Sequence, residues 1–117
     1  DPKLRILLAH AGGAILSLRG RLRHSHTFQP DARSRLTESP VDSIRRFYLD
    51  TVTHDPTLLR AAIEFGGAER MLLGSDYPFD MGLERPAEPV RELGLDPQDE
   101  AAILGGNALR LLGQEAA

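Results

Sequence analysis

Cysteine is absent from the 117-residue chain. Without thiols there is no disulfide scaffold, no thiolate nucleophile and no sulfur ligand for a metal. Aromatic residues are scarce at 5%, too few for the stacking platforms that hold single-stranded nucleic acid. A formal net charge of -3 supplies no general attraction for nucleic acid either. No apolar run is long enough to span a bilayer, and the opening residues lack the charged-then-apolar pattern of a secretory leader. The expectation is a cytoplasmic chain that binds neither membrane nor nucleic acid. Internal repeats, low-complexity tracts and the phosphate-cradling Gly-x-x-x-x-Gly-Lys motif are also missing. One local exception to the charge balance is the group Arg19, Arg21, Arg23, Arg33 and Arg35, which reads as a solvated basic loop or a dimer contact.

What is present begins with Arg70-Met71-Leu72-Leu73-Gly74-Ser75-Asp76-Tyr77-Pro78-Phe79, an apolar strand that delivers a carboxylate where it stops. Barrels of alternating strands and helices place their chemistry at the carboxyl ends of the strands, so Asp76 reads as a ligand or base. It reads equally as an ordinary turn or cap residue. The same grammar recurs in Leu4-Arg5-Ile6-Leu7-Leu8-Ala9, which runs into His10-Ala11-Gly12-Gly13. A lone strand-end histidine is more often structural, but its repetition of the Asp76 pattern favours function. A third run, Phe47-Tyr48-Leu49-Asp50-Thr51-Val52, sets Asp50, His54 and Asp55 around another strand end. Asp55 precedes Pro56, which marks it as a helix cap.

Apolar Leu58, Leu59, Ala62 and Ile63 fall at helical spacing after Pro56, and Gly66-Gly67 stops the pattern. Strand, helix and strand in that order predict a βαβ unit with parallel strands. Short helices are expected over Pro86 to Leu93 and Gln98 to Leu104. Gly105-Gly106-Asn107 is expected to break the chain, with Asn107 capping a last helix whose apolar face is Ala108, Leu109, Leu111 and Leu112.

Taken in order, His10-Ala11-Gly12-Gly13-Ala14, Gly20-Arg21, Phe47-Tyr48-Leu49-Asp50, His54-Asp55-Pro56, Gly74-Ser75-Asp76-Tyr77-Pro78-Phe79 and Gly106-Asn107-Ala108 resemble the decarboxylase branch of the amidohydrolase superfamily. The resemblance covers nearly the whole chain. It implies an α/β fold in which residues 1–117 form the C-terminal part, about the last three βα units, of a metal-dependent TIM (β/α)8 barrel, with no second domain. It further implies a homodimeric full-length protein, a divalent metal, usually zinc, and a small unsaturated or aromatic carboxylic acid as substrate. By the same resemblance Asp76 is a metal ligand and His10 the catalytic acid/base. Arg21 binds the substrate carboxylate across the dimer interface, a task suited to a planar, permanently charged fork of donors. His54 is implied as second-shell support or as part of a helix start.

The sequence departs from that pattern in two ways. The family's remaining ligands, a His-x-His pair and a further histidine, would precede residue 1, whereas a zinc site normally takes three or four protein ligands. His24-Ser25-His26 has the spacing of the pair, but it follows an arginine-rich stretch instead of a buried strand and reads as loop. Gln29 stands where some of these decarboxylases carry another carboxylate-binding arginine, and an amide offers hydrogen bonds without charge. Arg23, Arg33 or Arg35 could substitute.

Decarboxylation is the leading expectation. A metal-dependent hydrolase on the same barrel is the alternative within enzymes, since an activated water can also attack an ester, lactone or amide. A non-catalytic fragment is the alternative outside them. A barrel takes about 250 residues, and three uncovered parallel strands should expose apolar surface.

Overall fold

The computed structural model describes residues 4–114. Its centre is a parallel sheet in the order β1-β2-β3, formed by β1 (Leu7–Leu8), β2 (Tyr48–Asp50) and β3 (Met71–Leu72). Leu49 is aligned with Leu8 on one side and with Met71 on the other, and Asp50 is aligned with Leu72. The ladders are shorter than the apolar runs that encode them. Beyond them, Tyr48 N–H donates to the Ile6 carbonyl at 2.8 Å, and Thr51 N–H donates to that of Leu72 at 3.1 Å.

Between β1 and β2 lie α1 (Ile15–Phe28), α2 (Pro30–Arg35) and α3 (Pro40–Ile44). This corrects the expected basic loop: Arg19, Arg21 and Arg23 ride on α1, Arg33 and Arg35 on α2. The helix was hidden because its inward face is thin, with Leu16 buried and Ile15 and Leu22 half-buried among arginines. Helix α4 (Pro56–Gly66) joins β2 to β3, as the pattern requires. Asp55 caps it, accepting from Leu58 N–H at 2.8 Å, and Leu59, Ala62 and Phe65 are buried. Gly67 stops it with a φ of 88° that side chains rarely adopt.

After β3 come α5 (Ala87–Arg91) and α6 (Pro97–Ala101). The backbone then passes through a π-turn over Ala102–Gly106 into α7 (Asn107–Leu111). Gly105-Gly106 therefore do not break the chain, and Asn107 is not a cap. Asn107 is 1% exposed, and its Nδ2 donates to the carbonyls of Ala68 and Met71, both at 2.7 Å. The expected apolar face of α7 is corrected too, since Leu109 and Leu112 are exposed.

Leu49, Leu59, Ala62, Met71, Val90 and Ile103 form the centre of the core. Apolar side chains also remain at the surface, including Leu7 on β1 and Tyr77, Phe79 and Met81 after β3. Among the described residues no helix is long and apolar enough to cross a membrane.

Candidate functional site

Parallel strands carry their binding chemistry beyond their carboxyl ends. Three polar residues with a left-handed backbone stand there. His10 follows β1, His54 follows β2 and Asp76 follows β3, with φ of 54°, 53° and 61°. Ala11, at 50°, is the other non-glycine residue in this left-handed region among those described. Such a conformation costs a side-chain-bearing residue about 1–2 kcal/mol. It persists where the surroundings impose it, and such positions cluster at functional sites.

The His10 turn is imposed from several directions. Gly12 N–H donates to the Ala9 carbonyl at 3.0 Å and Gly13 N–H to that of His10 at 2.8 Å. Asp50 Oδ1 accepts from Ala11 N–H at 3.0 Å. A Cβ at Gly12 would meet Leu49 Cδ2 at 3.3 Å, and a φ of 79° suits glycine independently of that contact. Ala11 is buried beneath the turn and the imidazole side is exposed.

His54 stands between two side-chain bonds: Thr53 Oγ1 donates to the Asp55 carbonyl at 2.9 Å, and Asp55 then caps α4. The histidine is exposed at the turn that opens α4. Asp76 is half-buried within a loop closed by Leu83 N–H donating to the Ser75 carbonyl at 2.7 Å. Gly82 sits inside that loop, where a Cβ would come within 2.9 Å of the Phe79 carbonyl oxygen. Among the described residues Asp76 has no ion-pair partner.

Arg21 is elsewhere. It lies exposed on α1, six residues past the first, about 9 Å along the axis. Together with His24, Ser25 and Gln29 it lines a shallow cleft, and Ser25 Oγ donates to Gln29 Oε1 at 2.6 Å. The structure thus brings Arg21 beside Gln29. His24 and His26 are helical, contrary to the expected loop. Two residues apart on a helix, they diverge: His24 packs on Phe28 with ring centroids 4.3 Å apart, and His26 Nε2 lies 3.0 Å from the Leu36 carbonyl oxygen.

Two residues of the site went unassigned in the sequence. Asp50, noticed only as a strand-end carboxylate, bonds the His10 turn. Thr51, 2% exposed, accepts from Gly74 N–H through Oγ1 at 3.1 Å. Their signal was a polar pair ending an apolar strand.

As a donor set the site is partial. Among the described residues no group of three His, Asp or Glu side chains could enclose a metal ion. The Asp76 carboxylate is a hard oxygen donor of the kind that suits a divalent cation, one donor where such an ion needs several.

Fold and site together define an α/β segment whose parallel strands deliver titratable groups to one edge. The chain belongs to the Amidohydrolase family, whose pattern matches residues 2–114. It is 32% identical over 116 residues to the 2-amino-3-carboxymuconate-6-semialdehyde decarboxylase of Dictyostelium discoideum, a match covering 96% of this chain and 32% of that protein. It is 36% identical over 78 residues to the 6-methylsalicylic acid decarboxylase of Penicillium expansum, covering 66% of this chain and 24% of that one. A dihydroxybenzoic acid decarboxylase from Polaromonas, solved with bound manganese and the inhibitor 2-nitroresorcinol, superposes with a TM-score of 0.83 at 27% identity, over 99% of this chain and 36% of that one. The chain therefore spans about a third of the length of the relatives it matches.

Proposed function

We propose that the chain forms the last three units of a (β/α)8 barrel in a divalent-metal-dependent decarboxylase of small unsaturated or aromatic carboxylic acids. The observation that carries this reading is the row of His10, His54 and Asp76, each left-handed and each beyond the carboxyl end of an adjacent parallel strand. The names of the relatives support it, since they describe decarboxylases with different acids as substrates. The muconate semialdehyde acid of the Dictyostelium relative is one candidate substrate. Gln29 and its Ser25 partner argue for a less firmly held second carboxylate.

In this reading Asp76 gives one oxygen ligand, and the remaining donors come from other parts of a longer polypeptide. A divalent ion, zinc or manganese, supplies Lewis acidity and lowers the pKa of water when bound. His10, exposed at the edge, moves the proton to or from the substrate carbon. His54 supports the turn beside it. Arg21, exposed on α1, binds the substrate carboxylate in the site of a second copy, so the working unit is a homodimer.

The test is a substrate panel presented to the native protein, with carbon dioxide and hydrolytic products measured separately. Carbon dioxide release that stops on chelation is the expected result. Ring or ester opening without carbon dioxide would instead favour hydrolysis, the reading that the family's name suggests. Neither activity, with no bound metal, would favour a non-catalytic fragment.

A further inference from the structure

Asp50 ends β2 with its carboxylate turned to backbone. Oδ1 accepts from the N–H of Ala11 and of Val52, each at 3.0 Å. The Ala11 bond is the informative one, because Ala11 directly follows His10 and shares its left-handed backbone. The next residue, Thr51, reaches the opposite way to Gly74 N–H at 3.1 Å. Gly74 stands two residues before Asp76 and presses on the same strand end. A Cβ there would lie 2.8 Å from Val52 Cγ2 and 3.2 Å from Asp50 Cβ. The two side-chain bonds lie outside the sheet ladders. They tie the turn after β1 and the turn after β3 to the last residue of the strand between them and to the residue that follows it.

We infer that Asp50 and Thr51 are paired positioning residues, which fix the His10 turn and the Asp76 turn against a common reference and so set the separation of the two groups. The inference rests on the roles proposed above for His10 and Asp76. An ionised carboxylate suits the Asp50 position because it accepts N–H groups in charge-assisted bonds without having to place a donor. Threonine suits the next position because a buried methyl and one accepting oxygen fit where valine would leave Gly74 N–H unpaired. Proton transfer and metal ligation both depend on placement, and a displacement of about 1 Å costs about a hundredfold in rate.

The test compares Asp50→Ala, Asp50→Asn, Thr51→Val and Thr51→Ser in the native protein by residue-resolved amide exchange, bound metal, kcat and KM. Asp50→Ala is expected to lose exchange protection at Ala11 and Val52 while Gly74 keeps it, and Thr51→Val to do the reverse. Each should lower kcat by about a hundredfold with KM and protection of the rest of the fold retained. Asp50→Asn and Thr51→Ser, which keep an accepting oxygen, should recover most of kcat. Wild-type kcat in Asp50→Ala and Thr51→Val, beside inactive His10→Ala and Asp76→Ala, would overturn the inference and leave the proposed function standing. Protection lost evenly over the whole fold, without rescue by the asparagine or serine variant, would also overturn it. Should Asp50→Ala not fold, Thr51→Val read against Thr51→Ser carries the same comparison. Full turnover in both His10→Ala and Asp76→Ala would remove the functional reading itself, a result distinct from any outcome at Asp50 or Thr51.

Discussion

Asn107 binds the last helix to the central sheet by donating from Nδ2 to the Met71 carbonyl oxygen, 2.7 Å away at the start of β3. The same nitrogen serves Ala68, and Arg110 Nη2 donates to Oδ1 at 2.6 Å. A buried carbonyl without a partner costs stability that solvent cannot return. Asn107→Ala should therefore lower unfolding stability by about 2–3 kcal/mol. Asn107→Asp should cost more, because it sets acceptors against acceptors. Chemical denaturation checks both, and unchanged midpoints would contradict the assignment.

Gly74 and Gly13 separate packing from backbone freedom. At Gly74 an added Cβ would overlap Val52 Cγ2 at 2.8 Å, with φ outside the left-handed region. Gly74→Ala should cost about 1–3 kcal/mol through overpacking. At Gly13 the added carbon meets nothing within 4 Å, but φ is 58°. With a ψ of -122° as well, this is backbone that side-chain-bearing residues avoid, and Gly13→Ala should cost about 1–3 kcal/mol from the backbone alone. Gly74→Ala should disturb amide exchange at Val52 as well, whereas Gly13→Ala should not.

Glu38 gives the chain an acid-sensitive contact through Arg46, two residues before β2. Arg46 donates from Nη1 to Oε2 at 2.8 Å and from Nη2 to Oε1, and Ser43 Oγ donates to Oε1 at 2.6 Å. These bonds, the arginine's first, hold the carboxyl at about 2, below its ordinary 4.5. Because the folded value is the lower one, the contribution is present above about 4.5 and is lost as the pH falls towards 2. Both side chains are exposed, so the effect is small and weakened by salt. Glu38→Gln should flatten the stability profile between those pH values by slightly lowering stability above about 4.5, the two proteins converging as the pH falls towards 2. An identical acid slope in the variant would contradict the pairing.

The order of strands and helices was legible because β1, β2, β3 and α4 each announce themselves with an apolar run and a stop signal. Asp55-Pro56 and Gly66-Gly67 bracket α4 in the sequence as they do in space. The edge positions of His10, His54 and Asp76 were legible for the same reason. Helix α1 was not, since Arg19-Gly20-Arg21 masks an inward face that rests chiefly on Leu16. Asn107 misled because asparagine after glycine is also cap chemistry, and only the carbonyls of Ala68 and Met71 decide otherwise. The bracket made by Asp50 and Thr51 depends on neighbours 39 and 23 residues away, which no local pattern encodes.

The most direct test of the central claim is bound divalent metal per chain and carbon dioxide release, measured in the native protein and in its Asp76→Ala and His10→Ala variants. Asp76→Ala should lose metal and turnover together, while His10→Ala should keep the metal and lose turnover. Wild-type turnover by either variant would contradict the claim.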